Sequence, residues 1–399
     1  MVAASRDDTA AVLLHRLTLS NVLSFGPGET DVELGPLNVL IGPNGSGKSN
    51  LIAAIELLRA APRDLVAPIR ESGGIGEWLH KSTPLARKGS LEAAVGFPLP
   101  SGPLRYHLTF EEWLHRFHVR DEFIEDDVPE TGQGRPYRYF GYLNGAAIVK
   151  RKAGADQRFA RTDLDPGQTI LSQRKDPHDF PEITYLGQQF DTIRIYREWS
   201  FGRQATARQP QSSDLPNDFL AEDTSNLALV LNRLRRAPAV KKRLLEMAGK
   251  LYEGLTDFDV IVQGGTVQVF LEERGITVPA ARLSDGTLRY LCLLAILCDD
   301  EPPPLVCIEE PELGLHPDIM PTLAGLLREA STRCQLIVTT HSDVLVDALT
   351  EEPESVVVCE KHDGQTRLHR LSKEDLTQWL TRYSLGQLWM KGELGGSRW

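Results

Sequence analysis

Eight consecutive residues carry the densest chemistry in this sequence: Gly42-Pro43-Asn44-Gly45-Ser46-Gly47-Lys48-Ser49. They match the pattern GxxxxGK[ST] at every fixed position, after the apolar run 37–41 and before a helical pattern from about Lys48 to Ala60. Glycines let a backbone wrap a phosphate with its N–H groups, and a helix N-terminus adds a favourable dipole. Lys48 would supply charge to the outer phosphates of a nucleotide, and the Ser49 hydroxyl would ligate Mg²⁺. Asn44, Gly45, Ser46, Gly47, Lys48, Ser49 and the adjoining Asn50 are therefore the candidate phosphate-binding residues.

Carboxylates supply the second signal. In Leu305-Val-Cys-Ile-Glu-Glu-Pro-Glu312 an apolar strand ends on acids, and open α/β sheets bind ligands at that strand edge. Glu309 would hold Mg²⁺ through water, and Glu310 would orient an attacking water as general base. A third segment, Leu283-Ser-Asp-Gly-Thr287, precedes the apolar pattern 288–297. Ser284, Asp285 and Gly286 could meet a phosphate, or Ser284 or Asp285 could simply cap a helix. The fourth segment, Leu336-Ile-Val-Thr-Thr-His341, ends an apolar strand on a histidine that could hydrogen-bond the terminal phosphate.

The elements that must position these residues can be read coarsely. Residues 12–25 are β-rich, and 91–98, 104–110 and 115–124 read as antiparallel strands joined by turns such as Pro100–Pro103. Asn144-Gly145 is a hairpin signal. Residues 126–136 and 152–168 read as exposed loops, and the polar stretch 202–218 as a mobile linker. A helical pattern runs from 218 to about 251, broken near Pro238, and strands return over 258–271. Helix, strand and helix then alternate from 284 to 347, as in a parallel sheet with crossover helices. There are no sustained heptads, so a long coiled coil is absent.

With 399 residues, 41% hydrophobic and 25% charged, the chain can bury a sizeable core, which excludes collagen-like, disulfide-scaffold and low-complexity classes. A net charge of −11 makes it no general coat for nucleic acid. Its five cysteines have no metal-ligand spacing and read as reduced core thiols. The longest apolar run, 291–298, is too short to span a bilayer, and no signal peptide is visible in the first ten residues. The expectation is a soluble, cytoplasmic protein.

The order of the motifs resembles ABC-type ATPases of the SMC–RecF–OLD branch, in particular the compact bacterial AAA-type ATPases related to OLD proteins. GPNGSGKS at 42–49 resembles Walker A, LSDGT at 283–287 the ABC signature, CIEEPELGLHP at 307–317 Walker B plus D-loop, and TTHS at 339–342 the H-loop. LTLSNVLSFG at 17–26 resembles that branch's first strand. Roughly the first 60 and last 120 residues are covered well and the middle only loosely. The resemblance implies an α/β ABC-type P-loop ATPase head with an antiparallel β subdomain and a helical insertion. Residues 1–190 would form the N-terminal lobe, 191–257 a helical insertion with a flexible linker, and 258–399 the C-terminal lobe and tail.

It also implies roles. Lys48 and Ser49 would bind ATP and Mg²⁺, Glu310 would be the catalytic carboxylate, and His341 would sense the terminal phosphate. Ser284 and Gly286 would act on ATP held by a second copy, with Gly314-Leu-His316 as the D-loop between copies. A Q-loop glutamine touching metal and nucleotide is expected at a strand end. Gln173 is the choice, with Gln188 or Gln189 as runner-up and an ordinary surface glutamine as the plain alternative.

The chain departs from these relatives in places. Glu309 stands where aspartate is usual, and the signature reads SDG rather than SGG. Only 58 residues follow His341, where OLD-type nucleases carry a Toprim domain, so the expectation is no nuclease of its own and a separately encoded effector. Arg233, Arg235, Arg236, Lys241, Lys242 and Arg243 form an acid-free basic segment that could touch DNA or could be a solvated helical face. The tail, with Trp389 and Trp399, could dock a partner or pack on its own core. The resulting reading is an ATP-driven homodimeric or higher-order switch in bacterial anti-phage defence. A RecF-like DNA-repair ATPase and an ATP-binding scaffold with little turnover are its competitors.

Overall fold

The computed structural model describes residues 12–81, 88–98, 102–129, 132, 134–143, 146–150, 156–197 and 199–396. The first described strands are β1 (Leu14–Ser20), β2 (Thr30–Glu33) and β3 (Leu37–Ile41), followed by α1 (Lys48–Ala60), α2 (Ala67–Glu71) and α3 (Ile75–Trp78). An antiparallel run comes next: β4 (Lys88–Val95), β5 (Leu104–Trp113), β6 (Arg116–Asp126), β7 (Arg138–Leu143), β8 (Ala146–Val149) and β9 (Gln157–Ala160). Helices α4 (Ile170–Gln173) and α5 (Pro181–Thr192) lead to β10 (Arg194–Tyr196), and β11 (Gln211–Ser212) leads to α6 (Leu227–Leu234) and α7 (Pro238–Leu251). β12 (Leu255–Gln263), β13 (Thr266–Glu273) and β14 (Ile276–Pro279) precede α8 (Asp285–Leu297). The chain then alternates through β15 (Leu305–Glu309), α9 (Met320–Ser331), β16 (Gln335–Thr339), α10 (Asp343–Asp347), β17 (Val356–His362), β18 (Gln365–Arg370), α11 (Lys373–Leu380) and α12 (Leu385–Met390).

A six-stranded sheet in the order β10-β15-β16-β3-β17-β18 forms the centre, parallel except for the last pair. β3, β15 and β16 at its middle are largely apolar without alternation because both faces are covered. Leu37, Val39, Ile41, Val306, Ile308, Leu336 and Val338 face one core, shared with α6, α8 and α9. Leu40, Leu305, Cys307 and Ile337 face the other, shared with α1, α5 and the antiparallel sheet β2-β1-β4-β5-β6-β7-β8-β9. Helix α8 is apolar nearly all round and correspondingly buried along most of its length. Gln335 joins the two sheets: its buried amide accepts from Leu14 N at 2.9 Å and donates to Leu14 O at 2.7 Å.

The strand at 37–41, the helix at 48–60 and the parallel alternation after 284 stand where the sequence places them. Pro238 begins α7 rather than merely breaking a helix, since its missing N–H costs nothing in a first turn. All five cysteines are buried free thiols. Residues 144–145 and 99–101 of the two expected turns lie outside the described residues, but β7 and β8 pair antiparallel with Leu143 opposite Ala146.

Two expectations need correction. Within 156–168 the chain adds β9 to the edge of the antiparallel sheet instead of forming a plain loop. The stretch 202–218, expected as a flexible linker, is packed: Ala205, Ala207, Arg208 and Gln211 are buried, and β11 pairs with β13. Its polar side chains find internal partners. Gln211 accepts from the Ala228 N–H at 2.7 Å, and Arg208 donates to the carbonyls of Phe201 at 3.0 Å and Leu283 at 2.5 Å.

Candidate functional site

Parallel pairing brings the ends of four strands to one edge of the central sheet. Tyr196 lies opposite Ile308, Glu309 opposite Thr339, and Thr339 opposite Leu40. The residues that follow each strand are thereby assembled: Arg197, the acids 309–312, Thr340 with His341, and the loop 42–47.

The loop adopts the cradle that its glycines permit. Gly42, Gly45 and Gly47 have φ of 145°, 76° and 107°. A Cβ at Gly42 would collide with the Cys359 carbonyl, and one at Gly47 with Thr366 Oγ1, so neither tolerates a side chain. Lys48 is 6% exposed and donates to the carbonyls of Gly42 at 2.8 Å and Pro43 at 3.1 Å. Burial lowers its pKa, while the nearby Glu310, Glu309 and Glu312 act in the opposite direction. Ser46 Oγ is buried with no hydrogen-bond partner among the described residues. Asn44 and Gly45 are exposed at the tip.

Behind the cradle stand Thr366, which no motif announced, and Ser24 and Asn50. Thr366 Oγ1, on β18, donates to the Ser46 carbonyl at 2.8 Å and lies 2.7 Å from Ser24 Oγ. Asn50 Nδ2 donates to the same Ser24 oxygen at 2.7 Å. Asn50 therefore braces the loop from outside it.

The Ser49 hydroxyl donates to Glu309 Oε2 at 2.9 Å. A hydroxyl and a carboxylate this close, beside a buried lysine and a glycine cradle, form an oxygen donor set suited to Mg²⁺ and a triphosphate. Both groups fit. Arg197 and Glu56 complete this corner: Arg197 Nε donates to Glu309 Oε1 at 2.9 Å and Nη1 to Glu56 Oε2 at 2.6 Å. Strand β10 is only three residues long, so no apolar run flags Arg197 in the sequence.

Glu310 takes a positive φ of 47°, a conformation uncommon for a side-chain-bearing residue. Its N–H donates to Thr339 O at 3.0 Å, and its carboxylate lies 3.7 Å from His341 Nε2. Glu312 anchors the backbone at His341. Its Oε1 accepts from Thr340 Oγ1 at 2.8 Å and from the His341 N–H at 2.7 Å. Burial raises the Glu312 pKa against these donors.

The segment 283–287 does not hydrogen-bond to this cluster. Ser284 caps α8, accepting from Thr287 N at 3.0 Å, and Asp285 pairs with Arg208. Ser284 and Asp285 are exposed, as are Leu313, Gly314 and His316. Gly286 packs on Gly314, so the two segments form one outward surface.

Gln173 is placed otherwise than expected. It ends helix α4, not a strand, and its amide is spent locally. Oε1 accepts from Asp165 N at 2.8 Å, and Nε2 lies 3.2 Å from the carbonyls of Gln168 and Thr169. Gln188 and Gln189 lie within α5. Arg197, not a glutamine, follows the strand beside β15.

The basic segment is largely neutralised from within. Arg233 pairs with Asp299, Arg235 with Asp259, Lys241 with Asp257, and Arg243 with Glu329. Arg236 and Lys242 remain exposed. Trp389 is 3% exposed and donates to Gly396 O at 3.1 Å, packing on its own core; Trp399 lies outside the described residues. Among the described residues no helix is long and apolar enough to cross a membrane.

Residues 37–347 match the model of a family described as "AAA domain, putative AbiEii toxin, Type IV TA system". The chain is similar to an OLD nuclease of Thermus scotoductus, 25% identical over 355 residues that cover 84% of this chain and 60% of that protein. It is also similar to the Old nuclease of Escherichia phage P2, 22% identical over 391 residues, covering 91% and 62%. The chain thus spans about 60% of the length of these curated relatives. Among solved structures it resembles an Smc head bound to the C-terminal winged-helix domain of ScpA, with TM-score 0.57, 16% identity and coverage of 91% of this chain and 99% of that one. An Smc head with an extended coiled coil bound to the C-terminal domain of ScpA, derived from Pyrococcus furiosus, gives TM-score 0.57, 16% identity, and 92% and 98% coverage.

Proposed function

The chain belongs to this AAA-domain family; from that premise we propose that it is an ATPase of the SMC/OLD type, an ATP-driven switch closing as a head-to-tail dimer. The observation that carries the reading is the 2.9 Å contact between Ser49 and Glu309, which joins the glycine loop after β3 to the acid-tipped strand β15 across the intervening β16.

In this reading the N–H groups of residues 44–49 and the α1 N-terminus bind the phosphates, and Lys48 neutralises the outer ones. Ser49 and Glu309 hold Mg²⁺. The ion, when bound, offsets charge on the β- and γ-phosphates. Glu310, fixed in its left-handed backbone conformation, accepts the proton of the attacking water. His341, held by Glu312, keeps Glu310 aimed and meets the terminal phosphate.

The second half of each site comes from the other copy. Ser284, Gly286 and the D-loop Gly314–His316 form an exposed surface whose hydrogen bonds do not reach the chain's own cradle. A phosphate presented by a second copy gives that surface a ligand. In the similar Smc heads the fold carries ScpA. By analogy, this switch gates a separately encoded effector in anti-phage defence in the cytoplasm. Hydrolysis of ATP is the chemistry this site would perform.

The test is mass by light scattering with and without ATP·Mg²⁺, on wild type and Glu310→Gln. ATP-dependent doubling of the mutant's mass is expected. An unchanged mass for a mutant that binds ATP overturns the shared-site dimer.

A further inference from the structure

Glu309 divides its two oxygens. Oε2 accepts from the Ser49 hydroxyl and Oε1 from Arg197 Nε, each at 2.9 Å. The register makes this sharing possible: Tyr196 is level with Ile308, so the next residue of each strand, Arg197 and Glu309, meet at the sheet edge. Arg197 has a second anchor. Its Nη1 donates at 2.6 Å to Glu56, which lies two turns along α1 from Ser49 and also accepts from Arg59 at 3.1 Å. The remaining nitrogen, Nη2, is buried and has no acceptor among the described residues. The guanidinium is therefore tied to two carboxylates and has one donor unspent.

A guanidinium has no lone pair to offer a metal and keeps its charge at any working pH. It cannot be a ligand of the ion that Ser49 and Glu309 would hold. It can only compete with that ion for the carboxylate. Removing one partner of a buried pair is usually expensive because it strands a charge. Glu56 removes that obstacle. When Glu309 turns towards a divalent cation, Arg197 stays paired with Glu56, and Nη2 is free to take a phosphate oxygen or a water.

We propose that Arg197 is a built-in competitor of the divalent cation for Glu309, moored at Glu56, and that this pair sets the cation concentration at which the nucleotide site engages. The proposal rests on the reading of Ser49 and Glu309 as the metal-holding pair. In that role Arg197 is a positioning residue, acting through Glu309.

The two mooring residues have opposite signs of effect, which a purely structural role would not produce. The experiment measures Mn²⁺ affinity by the electron paramagnetic resonance signal of free Mn²⁺, on the full chain with a saturating non-hydrolysable ATP analogue. Arg197→Gln tightens Mn²⁺ binding about tenfold, because a cation beside the site is lost. Arg197→Lys, which keeps the charge, lies between that variant and wild type. Glu56→Gln weakens binding, because Arg197 falls back wholly on Glu309 and one negative charge is gone. Circular dichroism and nucleotide binding in EDTA verify that each variant is folded and loaded. If wild type binds Mn²⁺ but Arg197→Gln leaves the affinity unchanged or weaker, or both substitutions move it in one direction, the competition is overturned. If the wild type with nucleotide holds no Mn²⁺ beyond that of nucleotide alone, the metal-site reading fails and the proposal with it.

Discussion

Gly286 and Gly314 face one another so closely that a Cβ on Gly286 would stand 2.7 Å from the Gly314 carbonyl oxygen. The turn 283–287 and the loop 313–316 are therefore packed as one surface. Gly286→Ala separates them without touching Lys48 or Ser49. The expected result is nucleotide binding within about twofold of wild type and ATP turnover lowered by about tenfold or more. Steady-state phosphate release beside fluorescent-nucleotide titration checks this; unimpaired turnover would show that the packing has no part in the reaction.

In the proposed function Lys48 serves binding and Glu310 serves chemistry, so their variants should part. Lys48→Ala removes a buried cation from the cradle and weakens nucleotide binding by about a hundredfold. Glu310→Gln keeps the backbone hydrogen bond to Thr339 and preserves affinity, but slows hydrolysis by about 10²–10⁴. Calorimetric binding and single-turnover kinetics on both variants distinguish them. Normal single-turnover rates in Glu310→Gln would remove Glu310 from the catalytic role.

Arg208 ties the packed segment 202–218 to the signature turn through carbonyls of Phe201 and Leu283 and the Asp285 carboxylate. Arg208→Ala leaves buried carbonyls without donors and costs about 2–3 kcal/mol of stability. Arg208→Lys recovers little of it, since one ammonium cannot span the same acceptors. Urea unfolding of the three proteins measures the loss. A shift below about 0.5 kcal/mol would mean that the segment holds its place by other contacts.

Glu122 gives the fold a pH dependence. It is fully buried, accepts from Ile170 N at 2.9 Å and from the Tyr106 hydroxyl at 3.0 Å, and burial pushes its pKa from 4.5 up to about 8. The folded chain therefore keeps a proton that the unfolded chain gives up above about 4.5. That contribution is complete below 4.5 and is lost as pH rises through about 8. Between pH 6 and 9 the melting temperature of wild type should fall more steeply than that of Glu122→Gln, with the variant the more stable at pH 9. Parallel melting curves for the two would refute the assignment.

Where chemistry demanded a residue type next to a sheet-forming run, the sequence was readable. The strand 37–41, the loop and α1 follow from a five-residue run with four apolar residues, three glycines and a helix-forming stretch, all local signals. The acids after β15 and the histidine after β16 are placed by their own strands. What stayed hidden depends on partners far along the chain. Thr366 reaches Ser46 across 320 positions, and Arg208 reaches Leu283 across 75. The stretch 202–218 looked like a linker because it is polar, yet its polar groups are satisfied from a distance. The basic segment looked like a patch because its acids, Asp257, Asp259, Asp299 and Glu329, come later. A glutamine was sought at a strand end, but β10 is three residues long and is followed by arginine.

Strand β17 lies directly beside β3, and β18 folds back so that Thr366 supports the loop that β3 launches. During synthesis, a nascent chain released as far as residue 350 already contains every motif of the site. It still lacks the strand that shields one side of β3 and the hydroxyl that braces Ser46. Nucleotide competence thus waits until β17 and β18 have left the ribosome. Unfinished chains would be kept from engaging ATP, or one another, on the polysome.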